Sequence, residues 1–285
     1  MTLIPRRPYN DRIDLSVIGF PGLAVAGQAQ DDANELVAEA IDRGVNYFDV
    51  APSYAEGEAE MKLGIALEGR RDEVFLACKT TMRDAEGAAR ELETSLARLK
   101  TDRFDLYQFH AVTTLEDVER IFGDGGALEL FLKAREAGTI GHIGFSAHSV
   151  PAALAMLDRF SFDSVLFPIN FVCFAQGDFG PQVIERARET GAARLALKSL
   201  AGTPWARDAE RTYKYCWYQP LEARDRALAA LRFTLNEDIT AAITPADPGL
   251  FRMCLDLADE VTPLSVEERE ELLAGTREME PIFRN

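Results

Sequence analysis

The sequence predicts an α/β fold of the (β/α)8 class, a TIM barrel formed as a single domain by residues 1–285. Eight short apolar or β-branched runs alternate with helical patterns along nearly the whole chain. That alternation favours a closed parallel barrel, in which each strand is followed by a helix. No change of composition and no linker rich in Pro or Ser divides the 285 residues, a length that one barrel can fill.

The predicted strands are continuous apolar runs rather than alternating ones, as expected for strands that are covered on both faces. They comprise residues 17–20, 46–50, 74–79, 105–110, 142–146, 164–170, 194–199 and 239–243. A doubly wound sheet is the structural alternative. Its nucleotide-binding form is disfavoured, because no GxGxxG turn opens the first helix.

Helices are predicted where apolar residues recur at spacings of three and four and share one face. These segments are residues 33–41, 85–99, 130–137, 183–190 and 228–235. Three of them stop at a glycine, Gly44, Gly138 or Gly191, which is typical of a helix end. Ser265 and Glu268 predict a capping box at the start of a last, acidic helix.

Composition limits the classes of partner. The formal net charge of −16 argues against nucleic acid and against an anionic membrane surface. The four cysteines lie far apart without a CxxC pair, so we expect reduced thiols rather than a disulfide framework or a zinc ribbon. No apolar stretch is long enough for a secretory signal or a membrane helix, and no metal-ligand spacing is present. These features together predict a soluble, cytoplasmic protein.

Four polar residues lie where a barrel carries its active site. Asp49, Lys79 and His110 end the second, third and fourth predicted strands, and Tyr54 lies in the loop after Asp49. Because parallel strands end at the same rim, these side chains should converge at one mouth. Each has a purely structural alternative: a helix cap for Asp49, a solvated rim residue for Lys79 and a core residue for His110.

Together the four residues suit proton donation to a carbonyl oxygen. A free Tyr has a pKa of about 10, and a buried Lys79 ammonium beside Tyr54 would stabilise the phenolate and lower that value. Asp49 would keep the ammonium charged, and neutral His110 would orient the substrate oxygen. No side chain here can supply a hydride, so a cofactor has to.

The same residues carry a family resemblance. The segment 44–54, GVNYFDVAPSY, followed by Gly57-Glu58 and Leu63-Gly64, resembles the signature of the aldo-keto reductase superfamily. The resemblance implies a nicotinamide-dependent reductase of aldehydes, ketones or sugars with the tetrad Asp49, Tyr54, Lys79 and His110. Residues 109–114 and 216–221 look like a bacterial branch that includes members with a C-terminal iron–sulfur module. The cysteine cluster of that module is missing, so no iron–sulfur centre is expected.

The resemblance also implies cofactor contacts. It assigns Ser146 to the nicotinamide carboxamide, with Asn170 as the nearest amide, Lys198 and the backbone after it to the pyrophosphate, and Arg252 to a 2′-phosphate. The full predicted set is Gly22, Ser146, Asn170, Lys198, Ser199, Leu200, Gly202 and Arg252. Three positions depart from the family pattern, where Ala147, Leu166 and Leu197 replace an Asn, a Gln and a Tyr. Asp247 either repels a phosphate or caps the helix expected near Pro248; on balance NADPH is favoured over NADH.

Two further features remain open at this stage. His142 begins a strand and is expected to be structural, whereas His148 follows Ser146 and could line the pocket. Residues 202–221 form a long segment with Trp205, Tyr213, Tyr215, Trp217 and Tyr218. A long loop in a compact domain is usually functional, so this one is either a lid or an aromatic mini-core that pins the loop to the barrel.

Two other functions compete with carbonyl reduction. A nicotinamide-binding sensor or regulatory subunit with little turnover would carry the same residues. A lyase or hydrolase could use the same barrel, because fold does not determine function. The expected partner is a small carbonyl or sugar substrate, and the oligomeric state is left open.

Overall fold

Eight parallel strands close into a barrel in the computed structural model, which describes residues 3–285. The strands of the protein are β1 (Arg6–Pro8), β2 (Asp14–Ser16), β3 (Ile18–Pro21), β4 (Tyr47–Asp49), β5 (Phe75–Thr80), β6 (Phe104–Val112), β7 (Ile140–Ala147), β8 (Ser164–Pro168), β9 (Ala193–Leu197), β10 (Ala201–Pro204), β11 (Tyr218–Pro220) and β12 (Ala241–Ile243). The barrel order is β12-β3-β4-β5-β6-β7-β8-β9. This confirms the predicted (β/α)8 fold.

Helices connect successive barrel strands and cover the outside of the barrel. They are α1 (Gln30–Asp42), α2 (Glu58–Ala66), α3 (Ala85–Arg98), α4 (Leu115–Phe122), α5 (Ala127–Glu136), α6 (Val150–Arg159), α7 (Phe171–Gly177), α8 (Pro181–Thr190), α9 (Arg224–Asn236), α10 (Pro248–Leu257) and α11 (Val266–Ala274). The helices predicted by periodicity are α1, α3, α5, α8 and α9. The capping box at Ser265 is present at the start of α11.

All eight predicted barrel strands are confirmed, but two of them, β8 and β9, end two residues earlier than expected. β8 stops at Pro168 because Asn170 is the N-cap of α7, where its Oδ1 accepts the Cys173 amide at 2.9 Å. β9 stops at Leu197 because Lys198 takes a left-handed conformation with φ of 66°. The left-handed Lys198 interrupts the extended conformation of β9, whereas β8 ends because the helix α7 begins after Asn170.

Two antiparallel hairpins lie outside the barrel sheet. β1 pairs with β2, and Tyr9 and Leu15 from this hairpin pack in one cluster with Phe75 at the start of β5. The hairpin therefore covers the amino ends of the strands. β10 pairs with β11, and this second hairpin forms the base of the aromatic segment 202–221.

The remaining structural expectations concern His142 and the cysteines. His142 Nδ1 lies 3.2 Å from Asp163 Oδ1 and its ring packs edge-on against Tyr9, so its role in the fold is confirmed. All four thiols are free and buried. Within residues 3–285, no helix combines the length and the apolar composition needed to cross a bilayer.

Gly64 provides a test of how tightly α2 packs on the barrel wall. A Cβ at this position would lie 2.4 Å from the Arg98 carbonyl oxygen and 2.7 Å from Leu99 Cα. Because both atoms belong to backbone, Gly64→Ala should lower the free energy of unfolding by about 1–3 kcal/mol, as overpacking does. Urea denaturation followed by circular dichroism measures the loss.

The matched control for this variant is Ile65→Ala on the exposed side of the same helix, where Ile65 is 40% exposed. Substitutions of this kind on the surface change the free energy of unfolding by no more than about 0.5 kcal/mol. Equal stabilities for Gly64→Ala and Ile65→Ala would contradict the close approach of α2 to the turn after α3.

Candidate active site

The carboxyl ends of the barrel strands surround a cavity of about 260 Å³. All four predicted catalytic residues, Asp49, Tyr54, Lys79 and His110, line this cavity, although they come from three different strands and a loop. The other lining residues are Pro21, Leu23, Ser146, His148, Leu166, Leu197, Lys198, Tyr215, Trp217, Tyr218, Ile243, Thr244, Pro245 and Ala246. The wall is mostly apolar, with a few convergent polar groups, which is typical of a small-molecule site.

Asp49 and Lys79 form a buried ion pair at the floor of the cavity. Their side chains are 3% and 1% exposed, and Lys79 Nζ donates a hydrogen bond to Asp49 Oδ1. Gln108 Nε2 donates to the other carboxylate oxygen at 3.2 Å. Burial is the largest single effect and disfavours the ammonium, but Asp49 and Tyr54 together outweigh burial and raise the pKa of Lys79 above its usual value. Lys79 is therefore charged at neutral pH.

Tyr54 is connected to this pair through its hydroxyl oxygen, which accepts a hydrogen bond from Lys79 Nζ at 3.3 Å. The chain turns sharply after Tyr54, because Ala55 and Glu56 take left-handed φ values of 49° and 56°. Such strained conformations collect at functional sites. Here the turn separates the Tyr54 side chain from α2 and leaves it facing the cavity.

The pKa of Tyr54 differs from the sequence argument. Burial raises the pKa of its hydroxyl above the usual value, and the Lys79 ammonium only partly offsets this. The expected net lowering is therefore wrong, because desolvation of the phenolate outweighs the nearby charge. The hydroxyl keeps its proton at neutral pH, which suits a proton donor.

His110 lies next to a β-bulge in β6, where the register with β7 shifts between Phe109 and Val112. Ala111 has a left-handed φ of 52°, and its amide donates to Ser146 Oγ at 2.8 Å. Bulges next to active sites re-aim a side chain, and here the His110 ring stands edge-on to Tyr54 with 5.7 Å between centroids. Burial and the Lys79 ammonium lower the pKa of His110 well below its usual value, so the imidazole is neutral.

Among the predicted cofactor residues, Ser146 and Lys198 line the cavity. Gly22 lies behind it, in a position where a Cβ would be 2.7 Å from the Asp49 carbonyl oxygen. Leu166 and Leu197, which replace an amide and an aromatic residue of the family pattern, also line it. The departures from the pattern therefore make this wall of the cavity apolar.

The other predicted cofactor residues lie outside the lining. The Asn170 side-chain oxygen Oδ1 caps α7, and Arg252 donates to Glu39 Oε2 at 2.7 Å on the outside of the barrel. Ser199, Leu200 and Gly202 are buried in the chain that follows β9. Asp247 caps α10 through the Leu250 amide at 3.0 Å, which is the capping alternative considered above.

Two polar residues escaped the sequence analysis. Thr244 follows β12 directly, lines the cavity and has a buried Oγ1 with no hydrogen-bond partner. The rule that barrel sites lie at strand ends would have found it. Gln108 lies two residues before His110 on β6 and positions Asp49, and no sequence signal separates it from other buried strand residues.

The aromatic segment is pinned to the barrel at its base, as the mini-core alternative expects, and its role as a lid stays a prediction. Its base is packed, since Cys216 and Tyr218 share a cluster with Ala201 and the Trp205 indole donates to the Cys216 carbonyl at 2.8 Å. Residues 206–212 at its tip are exposed. Three of its aromatic residues, Tyr215, Trp217 and Tyr218, form a wall of the cavity, and His148 completes that side as anticipated.

Comparisons with known proteins agree with this geometry. The aldo-keto reductase YhdN of Bacillus subtilis is 34% identical over 151 residues, which is 49% of this chain and 44% of that protein. The fission yeast Schizosaccharomyces pombe has an aldo-keto reductase named yakc [NADP(+)] that is 32% identical over 162 residues, 51% of this chain and 46% of that protein. The matched stretch thus spans less than half the length of either curated relative.

The fold comparison covers the whole barrel. The holo form of the aldo-keto reductase AKR11C1 from Bacillus halodurans superposes with a TM-score of 0.76 at 23% identity, covering 95% of this chain and 96% of that chain. The sequence profile of the Aldo/keto reductase family matches residues 18–237, a range that includes all four residues of the tetrad. The chain belongs to the aldo/keto reductase family.

Proposed function

We propose that the protein is an NAD(P)H-dependent oxidoreductase that reduces an aldehyde, ketone or sugar carbonyl to the alcohol, or catalyses the reverse reaction. One observation carries the proposal: Asp49, Lys79 and Tyr54 form a hydrogen-bonded chain that ends in a protonated hydroxyl facing the cavity. Membership of the family supports the same chemistry.

In this proposal Tyr54 delivers the proton that the nascent alkoxide needs. Lys79 holds the Tyr54 hydroxyl in place, and its positive charge stabilises the phenolate that remains after transfer. Asp49 keeps Lys79 charged inside the barrel, and Gln108 fixes the carboxylate. Each residue acts on the next, so loss of any one should disturb proton delivery.

His110 would orient the substrate. Its neutral imidazole can donate one hydrogen bond to a carbonyl oxygen without offering a second acidic proton near Tyr54. The Ser53 hydroxyl lies 3.5 Å from His110 Nδ1, which leaves Nε2 as the nitrogen to face the cavity. The carbonyl oxygen would then lie between the imidazole and the Tyr54 hydroxyl.

The residues around the cavity fit a nicotinamide ring. When bound, the reduced nicotinamide supplies the hydride that no side chain can provide. Ser146 Oγ already accepts the Ala111 amide, so its own proton is available for the carboxamide oxygen. The unpartnered Thr244 Oγ1 provides a second polar contact, and Leu166 and Leu197 form a flat apolar wall.

NADPH is the favoured cofactor in this proposal. The yeast relative is named for NADP(+), and Asp247 Oδ1 is engaged with the Leu250 amide as a helix cap, as the capping alternative expects. Arg252 is 45% exposed and bound to Glu39. A phosphate would replace Glu39 as its partner, at the end of the barrel where α10 begins.

Tyr54→Phe tests the proton donor. It should reduce turnover about a hundredfold or more, the usual size of a general-acid effect, while the dissociation constant of NADPH barely changes. The measurement is steady-state oxidation of NADPH and NADH with a panel of aldehydes, ketones and sugars. Tyr213→Phe, on the outer part of the aromatic segment, is the matched control; a Tyr54 variant as active as this control removes Tyr54 from the mechanism.

Asp49→Asn tests the ion pair through stability as well as rate. It leaves the Lys79 ammonium buried without its carboxylate and should lower the free energy of unfolding by about 3–5 kcal/mol. The double variant Asp49→Asn/Lys79→Met removes both charges and should recover most of that loss, yet remain inactive. Chemical denaturation and steady-state kinetics of the same samples provide the two readouts.

The control for this pair is Asp72→Asn, which breaks the exposed ion pair between Asp72 and Arg103. Ion pairs on the surface contribute about 0–1 kcal/mol to the free energy of unfolding. If Asp49→Asn and Asp72→Asn were equally stable, the Asp49 carboxylate would not be needed to hold Lys79 in the barrel.

Arg252→Ala tests cofactor preference. It should weaken NADPH by about 1.5–3 kcal/mol, the scale of a hydrogen bond to a charged group, and leave NADH nearly unchanged. Glu39→Gln is the matched variant, because it releases Arg252 and should retain or tighten NADPH binding. Fluorescence titration of both nucleotides gives their dissociation constants. Equal losses of affinity for NADPH and NADH in Arg252→Ala, or a wild-type preference for NADH, would overturn the assignment of Arg252 to the 2′-phosphate.

A further inference from the structure

Lys198 is a half-buried cation that the proposed proton-transfer chain does not use. It follows β9 with a left-handed φ of 66° and lines the cavity. Its ammonium packs over two rings of the aromatic segment, 5.5 Å from the Trp217 centroid and 5.1 Å from the Tyr218 centroid. The aromatic faces stabilise the charge, but they do not neutralise it.

No carboxylate within residues 3–285 neutralises the Lys198 charge either. Among residues 3–285 the ion pairs include none at Lys198, and the group that most favours its ammonium is Cys216, whose thiol is itself protonated at neutral pH because burial raises its pKa to about 11. Asp49 is the only carboxylate among the described residues that lines the cavity, and it is bound to Lys79. The cavity therefore has one uncompensated positive charge, inside a protein whose net charge is −16.

Lys198 lines the same cavity as Tyr54 and His110. Burial followed by the Lys198 charge lowers the pKa of His148 to about 4, and Lys198 also contributes to the lowered pKa of His110. Charge effects of this kind require proximity inside a low-dielectric site. Lys198 thus acts on the same space in which Tyr54 and His110 would meet a carbonyl group.

We propose that Lys198 binds an anionic group of the carbonyl substrate, a carboxylate or a phosphate, so that the preferred substrates are acidic aldehydes or ketones or phosphorylated sugars. This rests on the proposed reductase function. The cofactor pyrophosphate, to which the sequence assigns Lys198, is the other source of an anion. The substrate is favoured because Lys198 shares the cavity with both histidines and with Lys79, rather than lying on the outer rim beside α10.

The protonation state of Lys198 can be changed by varying the pH. Burial lowers its pKa to about 8, so its ammonium is lost as the pH rises through that value. The ionisable groups that line the cavity with it are Asp49, Tyr54, Lys79, His110, His148, Tyr215 and Tyr218, with Cys216 beside it. Burial raises the pKa of Cys216 to about 11 and keeps both histidines neutral, so between about pH 7 and pH 9 Lys198 is the group that changes charge.

The test compares matched substrates in matched variants. Glyoxylate is paired with glycolaldehyde, and glyceraldehyde 3-phosphate with glyceraldehyde, each reduced with NADPH. Lys198→Met keeps the length of the side chain against Trp217 and Tyr218 but removes the charge, whereas Lys198→Arg keeps the charge. Lys214→Met is the control, because Lys214 packs over Tyr215 in the same segment, at 4.9 Å, without lining the cavity.

We expect wild type to favour at least one anionic substrate over its uncharged partner by roughly tenfold in kcat/KM, the scale of one charge-assisted contact. Lys198→Met should abolish that ratio, while Lys198→Arg and Lys214→Met retain it. In wild type the ratio should fall from about pH 7 to about pH 9, and in Lys198→Arg that fall should disappear. A wild type that treats both members of each pair alike overturns the proposal.

Binding without turnover separates this proposal from the reductase function. Oxalate and inorganic phosphate are titrated against tryptophan fluorescence, since Trp217 lies beside Lys198, and NADPH is titrated separately. Anion binding that is lost in Lys198→Met supports the site, even if no carbonyl is reduced and the reductase proposal fails. A roughly tenfold loss of NADPH affinity in Lys198→Met with an unchanged substrate ratio assigns Lys198 to the pyrophosphate and overturns the substrate proposal.

Discussion

The pairing of β12 with β3 is the contact on which the candidate site depends. Ala242 pairs with Ile18 and Ile243 with Gly19, and this short parallel ladder closes the sheet. Gly19 leaves room for two core side chains at this seam, because a Cβ there would lie 2.5 Å from Ile243 Cδ1 and 2.7 Å from Tyr47 Cδ1. Closure brings all strand ends to one rim, so Asp49 and Lys79, 30 residues apart in sequence, meet as an ion pair.

Sequence patterns predicted the barrel because its strands are continuous apolar runs, each buried on both faces. The hairpin of β1 and β2 was not predicted, since each strand has three residues and no period can be recognised in so few. The β10–β11 hairpin was hidden for another reason: its strands are separated by residues 205–217, and its register is irregular. In both cases tertiary packing, rather than local pattern, decides the structure.

The tetrad could be located from the sequence because each member lies at or just after a strand end, and the fold alone brings such positions together. The cofactor contacts stay predictions, because they depend on which neighbour a side chain meets. Asn170 meets the amide of Cys173 and becomes a helix cap; Arg252 meets Glu39 across two helices. The rise in the pKa of Tyr54 was not predicted for a related reason, because the burial of its hydroxyl depends on residues far away in sequence.

The two lysines of the cavity differ in how their charge is compensated. Lys79 is neutralised by Asp49 within the fold, so its charge is present whether or not a ligand is bound, and it can prepare Tyr54 in advance. Lys198 packs against two aromatic rings instead of a carboxylate, and desolvation lowers its pKa to about 8. A charge that is partly removed from water without a partner costs folding free energy, and an anion bound there would offset that cost by the same electrostatic attraction that would raise the pKa. The ion pair therefore serves the structure of the site, whereas in its proposed role the Lys198 ammonium would couple the stability of the fold to an anionic ligand.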